Sequence, residues 1–190
     1  MHIYETAMKR RTTRKFTQTP LPKQALLKLI DCARMTAYGA NMQPLKFGII
    51  TAQNMLDEIF PHTKWAAYLE NGSPQKGERP TAYIAIFADH RIKSGNCSVE
   101  AGAAGAVISL AAEEMGIGTC ILGALQFDKL SALFGLSEEM ELIQLIALGY
   151  PAQKCQAVTI KDSVKYYMIE DNVLCVPKRS MEEVLLFYKK

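Results

Sequence analysis

Between positions 98 and 115 the chain reads SVEAGAAGAVISLAAEEM, with Ala101, Gly102, Ala103, Ala104, Gly105 and Ala106 in unbroken succession. The pattern predicts one long helix over 98–115, closed by Gly116-Ile117-Gly118, with almost no side-chain bulk in its middle. Each glycine inside a helix costs roughly 1 kcal/mol relative to alanine. Such a helix is therefore expected where a second backbone packs closely enough to recover that loss. It belongs at the centre of a fold or between two copies of the chain, and this demand constrains everything built around it.

The flanking segments supply the partners. Residues 3–10 form a short helix candidate, and 22–36 a stronger one, with Pro22 suited to its first turn and Leu26, Leu27, Leu29, Ile30 and Ala33 forming an apolar face. Strands are expected at 46–52, at Tyr83 to Ala88, at Thr119 to Leu122 and at 141–149, with helices at 53–60 and 126–134. Residues 70–80 hold Asn71-Gly72-Ser73-Pro74 and Lys76-Gly77-Glu78-Arg79-Pro80, turn formers that predict an exposed loop suited to a lid. Gly149-Tyr150-Pro151 stops the core. Beyond it, residues 152–180 are more polar, with spacing that allows a hairpin around Asp171-Asn172, and 181–188 predict a final amphipathic helix. No internal repeat or low-complexity tract is present, so one domain over 1–190 is expected.

The 190 residues are 49% hydrophobic, enough for a genuine core, and carry 22 basic against 19 acidic side chains. A net charge of +3 gives a weak overall field, which does not favour a general nucleic-acid or membrane role. Five widely spaced cysteines form no C-x-x-C pair, which argues against a disulfide framework and a zinc site. No apolar run approaches the ~20 residues of a membrane span, and the polar, basic opening lacks a signal-like apolar stretch. A soluble, cytoplasmic protein is the expectation.

The positive charge is local. Lys9, Arg10, Arg11, Arg14 and Lys15, with Thr12 and Thr13, put five cations and two hydroxyls into seven positions without an acid. Such a cluster repels itself, whereas a bound phosphate supplies the missing charge and accepts hydrogen bonds from guanidinium forks and hydroxyls alike. A solvated basic face or a nucleic-acid arm is the competing explanation. Gly39-Ala40-Asn41-Met42-Gln43-Pro44 joins a helix to a strand, and its amides could serve a heteroaromatic ring or simply turn the chain. Val176-Pro177-Lys178-Arg179 adds two cations near the end. The sequence contains no G-x-G-x-x-G, P-loop or G-x-S-x-G pattern, and its three histidines stand apart. Glu113-Glu114 and Glu138-Glu139 are adjacent pairs, which point apart on a helix and are read as solvated.

Taken in order, KRRTTRKF, GANMQP, the Ala/Gly helix, GIGTCILGAL, ALGYP and VPKR resemble the FMN-dependent nitroreductase family over nearly the whole chain. The resemblance implies an α+β fold, with a central, mostly antiparallel sheet flanked by helices. It also implies an intertwined homodimer whose segment 152–190 wraps the partner. Arg10, Arg11 and Thr12 would hold the FMN phosphate or ribityl chain, and Arg14 would reach the ring near N1 and the C2 carbonyl. Ala40, Asn41 and Gln43 lie in the family's amide loop, Asn41 and Gln43 being contributed across the dimer. Backbone amides around Leu122 and Gly123 would face N5 and the C4 carbonyl, and Lys178 and Arg179 would complete the phosphate site. Implied is ping-pong reduction of nitroaromatics, quinones or related acceptors by NAD(P)H, with no metal, no nucleic acid and no acid or base side chain. Dehydrogenation, dehalogenation or flavin breakdown can run on the same scaffold. Thr12 stands where the family usually has Ser, Tyr38 where a small residue is usual, and Leu45 where Trp is common.

Overall fold

The strand β2 (Ala82–Asp89) is buried along its entire length. It pairs antiparallel with β1 (Leu45–Ile50) on one side and with β4 (Met140–Gly149) on the other, and β4 pairs antiparallel with β3 (Gly118–Leu122). The sheet order is β1-β2-β4-β3, with every neighbour antiparallel. The computed structural model describes residues 2–189.

Period-two alternation sorts the strand side chains into two cores. Ala82, Ile84, Ile86 and Ala88 face one layer, where α2 (Lys23–Arg34) brings Leu26, Leu29 and Ala33 and α4 (Ser98–Glu114) brings Ala101, Ala104, Ile108 and Ala112. Tyr83, Ala85 and Phe87 face the other, covered by Leu56 and Ile59 of α3 (Gln53–Ile59) and Leu130 of α5 (Phe127–Leu133). The small residues of α4 act as expected on one side, packing into the core. On the other side Val99 is 83% exposed and Gly102 and Ala106 face outward, beside exposed Ile3, Tyr4 and Met8 of α1 (Ile3–Lys9).

The segment from Arg10 to Thr17 is not a free arm. Thr13 N–H donates to Thr119 O at 2.9 Å, Phe16 N–H to Glu78 O at 2.9 Å and Thr17 N–H to Tyr150 O at 2.8 Å, while Lys15 O accepts from Ala152 N–H at 2.9 Å. Phe16 is buried, so the basic run is laid along the end of the sheet and anchored by an apolar plug.

Beyond Pro151 a second sheet forms, order β5-β7-β6, from β5 (Lys154–Thr159), β6 (Tyr167–Ile169) and β7 (Val173–Lys178). The expected hairpin is β6 to β7, turning through Glu170–Asn172 with Asn172 at φ 59°. β5 adds to β7 in parallel. The helix expected over 181–188 is shorter: α6 spans only Met181–Val184, capped by Ser180, and Leu185 leaves the helical region. With Leu185 to Tyr188 exposed, no tertiary surface on this chain supports further turns.

Candidate functional site

Extended backbone along β3 presents the basic run, and Thr12 forms a bridge with Thr119. Lys9 pairs with Glu113 at 3.2 Å and Lys15 with Glu78 at 3.1 Å. Among the described residues no carboxylate lies in ion-pair range of Arg10, Arg11 or Arg14. Arg11 folds back on its own chain, donating to the carbonyls of Met8 and Arg10, and its Nε is buried without a partner. Desolvation, reinforced by Arg10, lowers the Arg11 pKa. Three guanidiniums in five positions without a direct ion pair, Glu113 acting on Arg11 only at longer range, are suited to an anion, and a phosphate fits that donor set.

Arg11 and Arg14 serve different hollows. Arg11 and Thr13 line a cavity of about 270 Å³ together with Lys9, Glu113, Gln153 and Cys155. Arg14 lines another of about 200 Å³, with Lys15, Gly72, Gln153, Met168 and Leu174. There the Arg14 guanidinium lies 4.5 Å from the Tyr166 ring centroid, and Tyr166 packs on Tyr68 at 5.0 Å. The 66–72 loop thus packs against Tyr166, just ahead of β6, beside Arg14. Gly72 is what allows its tight closure, since a Cβ there would meet Ala66 Cβ at 2.3 Å.

Nearby thiols are not set up as nucleophiles. Burial pushes the Cys120 thiol up to about 11 and raises that of Cys155, so both stay protonated near neutral pH. Among the described residues no group of three or more His, Cys, Asp or Glu could hold a metal ion. No helix there is long and apolar enough to cross a membrane.

Leu122 and Gly123 end β3, on the same strand that holds Thr12, and the space above Gly123 is open. The Ala40, Asn41 and Gln43 loop lies elsewhere. It precedes β1, whose Leu45 pairs with Ala88, whereas Thr119 pairs with Leu148, opposite Ala82. From Ala82 to Ala88 is roughly 20 Å along the strand, and from β3 to β1 roughly 14 Å across the sheet. Within one chain the Asn41 loop and the Thr12 segment therefore occupy opposite corners, whereas Leu122, paired with Leu145 opposite Ala85, lies between them along the sheet. Ala40, Asn41 and Gln43 all have positive φ, at 48°, 54° and 51°. Non-glycine residues held there are strained, and such strain clusters at functional loops.

Lys178 closes β7, four residues and about 13 Å from Leu174, which lies beside Arg14. Arg179 pairs with Glu183 at 3.0 Å. The chain thus gathers Arg10, Arg11, Thr12, Arg14, Leu122 and Gly123 along β3, and leaves Lys178 and Arg179 at the far end of the second sheet.

The model of the nitroreductase family matches residues 7–150, from within α1 to the stop after β4. The chain belongs to the nitroreductase family. A relative from Archaeoglobus fulgidus, named for NADH dehydrogenase or NAD(P)H nitroreductase activity, is 24% identical over 85% of this chain and 87% of its own. Among solved structures, a Desulfovibrio desulfuricans protein named as a nitroreductase, in complex with FMN, superposes with a TM-score of 0.76 at 22% identity, over 100% of this chain and 98% of that one. A nitroreductase family protein from Streptococcus pneumoniae gives 0.72 at 15% identity, over 98% and 100%. The nitroreductase family fold thus extends through the second sheet, beyond the matched 7–150.

Sequence reasoning missed Tyr68 and Tyr166. Tyr68 sits between the helix read at 53–60 and the loop read at 70–80, Tyr166 in the polar stretch 152–180, and 98 positions separate them, so no local pattern announces their contact.

Proposed function

We propose that this nitroreductase family member is a homodimeric, FMN-dependent oxidoreductase. It takes electrons from NADH or NADPH and passes them, ping-pong fashion, to a small oxidised acceptor such as a nitroaromatic or a quinone. The observation that carries the reading is the set of guanidiniums at Arg10, Arg11 and Arg14 beside β3, none of them in a direct ion pair among the described residues. The FMN held by the Desulfovibrio desulfuricans structure supports the choice of anion.

When bound, FMN supplies the hydride and two-electron chemistry. Arg10, Arg11 and Thr12 bind its phosphate and ribityl chain by charge-assisted hydrogen bonds. Arg14 would stand at the ring edge that gains negative charge on reduction, where a fixed cation would stabilise that charge. Backbone amides at Leu122 and Gly123 orient the opposite edge. The corner-to-corner separation of the Asn41 loop from Arg14 favours supply of Ala40, Asn41 and Gln43 by a second copy, with Lys178 and Arg179 completing the phosphate site in the assembled dimer. The exposed small-residue face of α4 and the apolar tail suit that partner.

Colour tests the reading first. Purified protein with the absorbance band of oxidised flavin, or apoprotein that quenches FMN fluorescence at one FMN per subunit, is expected. Anaerobic reduction with each nicotinamide, followed by an acceptor screen, then names the partners. A colourless protein that ignores FMN and binds nucleic acid in a salt-sensitive way overturns it.

A further inference from the structure

Gln144 is a half-buried polar residue on β4, next to the fully buried run that begins at Leu145. It lies on β4 opposite Ile86, at a bulge where the register skips a residue before Phe87. Its side chain projects toward α4, on the same face as Ile146, and its Oε1 is buried with no hydrogen-bond partner. An orphaned carbonyl of this kind carries a desolvation penalty with no return from the fold itself. The helix makes room for it: a Cβ at Gly105 would meet Gln144 Oε1 at 2.3 Å and Ile121 Cδ1 at 3.4 Å. The end of the Gln144 side chain thus occupies the space that a side chain at Gly105 would take.

Beside Gln144 the end of β3 is open. β3 pairs Leu122 with Leu145, so the next step of the register sets Gly123 against Gln144. Gly123 has nothing within 4 Å of an added Cβ, and Ile121 beside it is 42% exposed. Gln144 thus lies beside Gly123 and Ile121, with its Oε1 turned against Gly105 of α4. A carboxamide carries both a donor and an acceptor, so it can donate to a ring carbonyl or accept from a ring N–H.

We propose that Gln144 is a binding residue for the heteroaromatic edge of the cofactor, contacting it beside Gly123, and that Gly105 exists to seat it. The assignment rests on the FMN reading above. An amide kept only for the fold would be better replaced by an apolar side chain of similar size, so function and stability separate here.

The experiment compares Gln144→Leu and Gly105→Ala with the natural protein by fluorescence titration of apoprotein with FMN, flavin absorbance maximum and thermal melting without FMN. Gln144→Leu is expected to melt at or above the natural protein's temperature, bind FMN about tenfold more weakly and shift the flavin band. Gly105→Ala, which displaces the amide, is expected to weaken FMN in the same direction, and the double variant to be no weaker than Gln144→Leu alone. If the natural protein binds FMN and Gln144→Leu matches it in affinity and spectrum, the proposal is overturned while the function stands. The proposal is likewise overturned if Gln144→Leu fails to fold and Gly105→Ala keeps natural affinity. A natural protein that takes no FMN overturns both.

Discussion

Gly118 and Thr13 touch so closely that a methyl group on Gly118 would lie 2.6 Å from Thr13 Oγ1 and 2.7 Å from its Cβ and Cγ2. The basic segment is held to β3 across this contact, reinforced by the Thr13 to Thr119 hydrogen bond. Gly118→Ala must therefore push the segment away or strain the strand. It is expected to cost about 1–3 kcal/mol, the usual range for overpacking, and to weaken FMN binding with it. Urea denaturation of apoprotein reads the first effect. An unchanged midpoint would show that the segment yields without cost.

Arg14 and Arg10 should separate by property. Arg10→Ala is expected to weaken FMN by roughly 1.5–3 kcal/mol, the range for a lost charge-assisted hydrogen bond. Arg14→Ala should lower the flavin reduction potential more than it lowers phosphate affinity, because the cation interacts most with the reduced ring. Spectroelectrochemistry that finds equal potentials would move Arg14 to a structural role.

Tyr166 supports the Arg14 guanidinium through its ring face. Replacing the ring should free the cation, so Tyr166→Leu is expected to shift the potential in the same direction as Arg14→Ala but less, with Tyr166→Phe close to natural. A Tyr166→Phe variant as altered as Tyr166→Leu would point to the hydroxyl instead.

Asp89 sets a pH dependence at the other end of the sheet. Its carboxylate accepts from Arg91 at 2.7 and 2.8 Å, and those bonds hold its pKa down to about 2, below the ordinary 3.8. A carboxylate depressed on folding contributes stability above its unfolded pKa and loses it as pH falls through the folded one. Melting temperature should thus drop between about pH 4 and 2, and Asp89→Asn should flatten that part of the curve. Identical profiles in both proteins would remove Asp89 as the cause.

The tail tests the assembly. Leu186 is 90% exposed, Phe187 62% and Tyr188 78%, an apolar cluster without cover among the described residues of its own chain. A chain ending at Ser180 is expected to keep its core fold by circular dichroism yet run smaller in size exclusion with light scattering. A truncated chain that remained dimeric would place the contact on α4 alone.

The sheet and its helices were legible because β2 and β4 are nearly continuous apolar runs and α2 carries a strong helical period, and tertiary contacts did not override them. The late helix was overread, since amphipathic spacing over 181–188 says nothing about a surface to pack on. Arg10, Arg11, Thr12 and Arg14 stood out as charge, but only tertiary structure revealed that Arg11 turns back to Met8 and Arg10 while Arg14 meets Tyr166. Gln144 could have been suspected, as one amide inside an apolar strand run. Without the Gly105 contact, that residue had no stated neighbour.

The stitching of Arg10–Thr17 also orders events during synthesis. Its hydrogen-bond partners Thr119, Tyr150 and Ala152 are made more than a hundred positions later. At roughly 5–20 residues per second this leaves the cationic segment without its strand neighbours for on the order of ten seconds. Thr13 has no strand until β3 has left the ribosome, and Phe16 no complete pocket until Gly149 and Pro151 have followed. The nascent chain therefore carries its most basic stretch in an unorganised form through most of translation, and the anion receptacle is among the last features to mature.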